Sequence, residues 1–151
     1  MIPDRVLKVL DQAGLTVLEF EPGSTPTSDM AAARIGVEVG QIAKSILLHG
    51  KDDLFRLAVM PGDARLSSSK FKKVTGVKHR MATREETLAQ TGFHIGGVCP
   101  FGLQSIPILI EQSLARFDLI YPAAGNDASG VPMHFDQLVT ITSGTVCDII
   151  T

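Results

Sequence analysis

The residues best suited to chemistry fall in two groups far apart in the sequence. The first is the run Gly96-Gly97-Val98-Cys99-Pro100-Phe101-Gly102, in which three glycines and a proline suit neither a helix nor a regular strand. Gly96 and Gly97 carry no side chain to obstruct a ligand, and Pro100 stiffens the turn. Exposed backbone amides in such a loop hold a phosphate or a developing oxyanion. A tight turn that needs glycine for its dihedrals accounts for the same letters, so a second feature is required. That feature is Lys44, which follows Gln41-Ile42-Ala43 at the start of an apolar segment. A lysine there either lays its stem on the sheet and reaches water, or stands as a point charge at a pocket mouth. Ser45 points to the opposite face if the strand is regular.

Other chemistries find less support. Cys99 as a nucleophile needs a base within hydrogen-bond reach, and spacing alone places none of His49, His79, His94 or His134 beside it. A small, buried, inert thiol is the expectation. Two cysteines and four histidines, scattered along the chain, show no metal-ligand spacing, and no cofactor is implied. There is no Walker A run, no dinucleotide-binding glycine fingerprint after a first strand and no Gly-x-Ser-x-Gly elbow.

Charge points to a partner. The net charge of −2 at pH 7 conceals a segment from Lys44 to Arg84 with ten Lys/Arg against three Asp, a balance of +7, while the rest of the chain carries −9. So lopsided a block suits contact with a polyanion. Aromatic interleaving is absent, which argues against a single-strand stacking platform and for phosphate contact along a backbone or at a tRNA end. Lys70, Lys72 and Lys73, on an expected exposed helix, are the leading candidates; a solvated helix face is the alternative.

The elements that must position these groups follow from periodicity. Residues 4–13 read as a helix, 16–20 as a strand, and Thr27 or Ser28 caps a helix that Gly36 stops. Residues 43–49 and 54–60 form a hairpin across Gly50-Lys51-Asp52-Asp53. Ser67-Ser68-Ser69 caps a basic helix, 77–81 is a short strand, and Thr83-Arg84-Glu85-Glu86 matches a capping box. Segments 106–110, 117–121 and 131–135 are apolar, Asp136 caps a short helix, and 146–150 is a last strand. This is an α/β pattern of the α+β kind: a curved mixed sheet flanked by helices, in one domain spanning 1–151. No apolar run approaches the roughly 20 residues of a membrane span. The N-terminus lacks a secretory pattern, so a soluble cytoplasmic protein is expected.

Gln41-Ile42-Ala43-Lys44-Ser45, Pro61-Gly62-Asp63, Thr91-Gly92-Phe93, the loop from Gly96 to Gly102 and Ala124-Gly125, in this order and spacing, resemble the YbaK/prolyl-tRNA editing family over essentially the whole chain. The resemblance implies hydrolysis of wrongly charged aminoacyl-tRNA, with a free-standing domain acting in trans and a synthetase as a possible partner. A non-catalytic module that binds an aminoacyl or nucleotide group is the alternative. Lys44 matches the family's essential lysine, and Gly96, Gly97 and Pro100 its substrate loop. Ser45, Phe101, Ala123, Gly125 and Gly130 complete the expected substrate contacts. The implied mechanism is polarisation of an already activated ester, helped by the 2′-hydroxyl of the terminal adenosine, without a covalent intermediate. Members that remove cysteine carry a Ser and an Asp where this chain has Ala123 and Gly130. The expected substrate is therefore a small or medium aliphatic residue, alanine on a proline tRNA foremost.

Overall fold

The computed structural model describes residues 1–151. The chain begins with α1 (Asp4–Gln12), which buries Val6 and Leu10 one turn apart. β1 (Leu18–Glu19) follows, then α2 (Ser28–Ile35), capped by Thr27, whose hydroxyl oxygen accepts from the Met30 amide at 3.2 Å. A 3₁₀ turn (Val39–Gln41) leads into the hairpin of β2 (Ala43–Gly50) and β3 (Phe55–Pro61). α3 (Ser68–Thr75) is capped by Ser67; β4 (His79–Met81) precedes α4 (Arg84–Thr91), where Thr83 and Glu86 form the expected capping box. The remainder is β5 (Ile108–Glu111), a second 3₁₀ turn (Gln112–Arg116), β6 (Ser129–Gly130), α5 (Phe135–Thr142) and β7 (Thr145–Cys147).

The main sheet has five strands in the order β4-β2-β3-β5-β7. It is antiparallel across β4, β2 and β3, and parallel across β3, β5 and β7. The expected α+β architecture is therefore present. Alternation along β2 and β3 sends Ala43, Leu47, Leu57 and Val59 to one face, against Val6, Leu10, Phe93 and Phe101. Leu48, Ala58 and Met60 go to the other face, under Phe71 of α3 and Ile149. Full burial of each large side chain contributes about 1.5–3 kcal/mol.

One irregularity of this sheet positions everything functional. β4 covers β2 only at Leu48, His49 and Gly50. Near the start of β2, the Ala43 amide donates to the Tyr121 carbonyl at 3.2 Å and the Tyr121 amide to the Gln41 carbonyl at 2.8 Å. Between these contacts, antiparallel alternation turns the amide and carbonyl of Ser45 away from β3, and no protein group meets them.

Several expected strands take another form. β1 joins β6 in a separate two-stranded ribbon rather than the main sheet. Segments 117–121 and 131–135 form no extended strand: Ile120 and Met133 pair at an isolated bridge, His134 Nδ1 lies 2.7 Å from the Asp118 carbonyl oxygen, and Tyr121 bridges to Ile42. α5 starts after His134, not at Asp136, since the His134 amide donates to Gln137 Oε1 at 2.8 Å.

The C-terminal segment is anchored by a buried carboxylate. Glu111 is 1% exposed; its Oε2 accepts from the Ser113 amide at 2.6 Å and its Oε1 from the Ile149 amide at 3.0 Å. Glu111→Leu should lower unfolding free energy by about 1–3 kcal/mol for each stranded amide. Glu111→Gln, which keeps one acceptor oxygen, should lose less; equal losses in urea denaturation would contradict this role.

Candidate active site

A cavity of about 230 Å³ opens over the gap in the edge of β2. Residues 42–47 form its floor. Pro26, Thr27 and Ser28, with Ala31 and Ile35 of α2, form one wall; Gly96, Val98, Ala123 and Ser129 contribute to another. Met81 and Ile95, 64% and 49% exposed, supply apolar surface at the rim.

Lys44 stands where this cavity reaches around the strand. Its ammonium donates to the Ala64 carbonyl at 2.6 Å and the Gly62 carbonyl at 3.2 Å. An ammonium has three donors, so one remains for a ligand. Burial pushes the lysine pKa below its ordinary value, and the nearby Asp63 and Asp29 carboxylates partly counter that. Both carbonyls belong to the turn after β3, which is pressed tightly into place. A methyl on Gly62 would lie 2.5 Å from the Val39 carbonyl oxygen and 2.7 Å from Ser28 Cβ. Only glycine allows this approach, and the approach delivers the carbonyls to Lys44.

The glycine loop divides into a part that faces the cavity and a part that does not. Gly96 lines the cavity at a φ of +101°, and the amides of Gly96 and Val98 have no acceptor in the protein. Gly97 departs from expectation. Its amide donates to the His94 carbonyl at 3.0 Å, and a methyl there would lie 2.7 Å from Asn126 Cα. Glycine is needed at 97 so that two backbones can pack, not to admit a ligand. Cys99 is fully buried, and burial pushes its thiol up to about 12; at neutral pH it carries its proton.

Other expected contacts also sort by location. Ser45 and Ala123 line the cavity, while Pro100, Phe101, Gly125 and Gly130 do not. Pro100 is buried outside it, and Phe101, 1% exposed, belongs to the main core. Gly125 makes a turn against Phe93 and Pro3, and Gly130 pairs with Leu18 and packs on Ile35. Lys70 is drawn away from any row facing phosphate, because its ammonium donates to Asp148 Oδ1 at 3.0 Å and the Ile150 carbonyl at 2.8 Å. Lys72 and Lys73 are exposed on α3.

Sequence reasoning missed the hydroxyl-bearing lining residues Thr25, Ser28, Thr87, Tyr121 and Ser129. The cluster at 24–28 signals a loop and a cap, and nothing local tells that it also walls a pocket. Most of these hydroxyls serve the scaffold. Thr25 Oγ1 accepts from the Ser129 amide at 3.2 Å, Ser129 Oγ from the Ala124 amide at 3.1 Å, and Thr87 Oγ1 donates to the Thr83 carbonyl at 2.8 Å. Ser45 Oγ is buried without a partner.

An anion-compatible cation, free backbone amides and a small apolar cavity define a site for polarising an acyl group. The chain belongs to the aminoacyl-tRNA editing domain family, whose model it matches over residues 22–141. It is 42% identical to the YwhH protein of Bacillus subtilis (strain 168) over 81% of this chain and 78% of that protein. It is 25% identical to EbsC of Enterococcus faecalis, a candidate Cys-tRNA(Pro)/Cys-tRNA(Cys) deacylase, over 83% of this chain and 77% of EbsC. The crystal structure of a candidate trans-editing enzyme for prolyl-tRNA synthetase superposes with a TM-score of 0.88 at 33% identity, covering 97% of this chain and 95% of that one. Membership makes the protein an enzyme of the aminoacyl-tRNA deacylase class, with mischarged tRNA as its partner, rather than a non-catalytic module. No helix is long and apolar enough to cross a membrane.

Two substitutions separate packing from chemistry. Gly97→Ala should lower stability by about 1–3 kcal/mol, the usual cost of overpacking, measured by chemical denaturation; an unchanged midpoint would show that the Asn126 contact is loose. Cys99→Ala should remain folded and keep hydrolytic activity, and iodoacetamide should leave the wild-type protein active. Loss of activity in a folded Cys99→Ala protein would restore the thiol to the mechanism.

Proposed function

We propose that the protein acts in trans to hydrolyse the ester joining a small aliphatic amino acid to a tRNA, with alanine on a proline tRNA as the leading substrate. The observation that carries this reading is the cavity over the open edge of β2, whose one charged lining group is Lys44. At about 230 Å³ it is smaller than the roughly 300–1,000 Å³ of sites that enclose a drug-sized molecule. It suits an aminoacyl group better than a whole aminoacyl nucleotide. Methyl and methylene groups dominate its lining, and the scaffold uses most of its hydroxyls. Such a pocket discriminates by size, at about 1–3 kcal/mol per methylene.

In this scheme the acyl side chain enters the cavity and the ester carbonyl oxygen meets the remaining Lys44 proton and the amides of Gly96 or Val98. Water adds to the carbonyl carbon, the oxyanion is held by these donors, and the carbon–oxygen bond to the ribose breaks as that oxygen takes a proton. Each well-aimed donor is worth roughly 10²–10³ in rate. An activated ester needs no more than this, and the 2′-hydroxyl of the terminal adenosine, implied by the family, orients the water. Gly97, its amide already engaged, is left out. Lys72 and Lys73 are the proposed contacts to the tRNA backbone, where each phosphate contact steepens the salt dependence of binding. The relationship to a candidate trans-editing enzyme supports action apart from a synthetase.

The test is amino-acid release from a panel of purified tRNAs mischarged with alanine, serine, cysteine or valine. Alanine on proline tRNA should be released fastest. Lys44→Ala should lower kcat/KM by at least roughly 10² while the protein stays folded. Faster release of cysteine, the residue named for EbsC, would overturn the substrate assignment, and full activity in Lys44→Ala would overturn the mechanism.

A further inference from the structure

A second cavity, of about 480 Å³, lies beside the first and shares Lys44, Ile46 and Met81 with it. The shared residues mark the place where β4 stops short and the edge of β2 is open. The two cavities differ in character. Lys44 is the one charged group of the first, whereas the second adds Asp63, Arg65, His79 and Arg80 around an apolar floor that includes Leu48 and Phe71.

The cations of the second cavity are not equivalent. Arg80 is paired with Glu86 at 2.8 Å. Lys44 is held by two carbonyls with Asp63 nearby. Arg65 has no side-chain hydrogen bond or ion pair, although its own carbonyl accepts from the Thr151 amide at 3.0 Å. It is an exposed guanidinium at the rim of this open cavity, left free for an anion. Guanidinium suits phosphate through its planar set of donors.

An aminoacyl-tRNA end has two unlike parts joined at the ester: an acyl side chain, and a nucleotide with a 5′-phosphate. A protein that binds both needs an apolar site and an anion-binding site in contact, with the polarising group at the junction. We propose that the second cavity is the subsite for the 3′-terminal nucleotide, with Arg65 facing its 5′-phosphate and Lys44 at the ester between the two cavities. Its volume lies within the roughly 300–1,000 Å³ typical of small-molecule sites. This inference rests on the editing reading above and extends it from the acyl group to the nucleotide.

The experiment compares two substrates and one inhibitor. Alanyl-tRNA(Pro) carries the terminal phosphate, 2′(3′)-O-alanyl-adenosine lacks it, and the dinucleotide CpA carries the phosphate without the ester. In Arg65→Ala, KM for alanyl-tRNA and the inhibition constant of CpA should both rise about tenfold, the scale of one charge-assisted hydrogen bond. The kcat should stay within about twofold, alanyl-adenosine hydrolysis should not change, and Arg65→Lys should recover part of the loss. If wild type hydrolyses alanyl-tRNA but Arg65→Ala alters neither KM nor CpA inhibition, the subsite is overturned and the editing reading stands. If wild type releases no amino acid from any mischarged tRNA, CpA titration followed by amide NMR decides separately. Shifts at residues 62–68 and 79–81 that weaken in Arg65→Ala uphold the subsite, and their absence overturns it.

Discussion

The structure depends on how one ammonium is kept on a sheet face that it shares with Ile46 and Leu48. Lys44 sits between Ala43 and Ile46–Leu48, on the face of the sheet that carries Leu48, Ala58 and Met60. An unpaired charge there would be costly. Two carbonyls of the Pro61–Ala64 turn meet it instead, and carbonyls solvate a cation without neutralising it. The turn reaches them because Gly62 lets it lie against Val39 and Ser28, which ties the start of α2 to the position of the lysine. The fold thus supplies a cation that has lost much of its water yet keeps a donor for a substrate.

The second constraint is the brevity of β4. With three residues, it closes the distal half of β2 and leaves Ser45 facing a space that α2, the glycine loop and the 121–129 segment enclose. A longer β4 would complete the sheet and fill the site. The cavities are a consequence of an unfinished edge, and their shared residues lie along it.

Much of the framework is legible locally. Caps at Thr27, Ser67 and Thr83, and the hairpin across residues 50–53, follow from neighbouring residues and occur where expected. Lys44 stands out because charge in an apolar run demands a reason. What fails to show is whatever depends on distant partners. Gly97 and Gly96 are the same letter side by side, yet one meets the backbone of Asn126 and the other lines the cavity. Phe101 belongs to the loop in sequence and to the core in space. Residues 117–121 have the composition of a strand, yet they make only isolated bridges, Ile120 to Met133 and Tyr121 to Ile42, both to distant parts of the chain. Thr25 and Ser129 wall the site through a contact separated by 104 positions, which no spacing rule anticipates.

The open stretch of β2 has a bearing on solubility as well. Unpaired strand edges are templates on which other chains add and aggregates grow. Here the Tyr121 bridge bounds the free stretch on one side and β4 on the other, so an incoming strand would find room for little more than one residue before meeting an obstacle. The same boundaries recess the edge beneath α2 and the glycine loop. A strand cannot lie down there, whereas the single-stranded 3′ end of a tRNA can enter head-on. Shape alone therefore separates the molecule's intended visitor from its own copies.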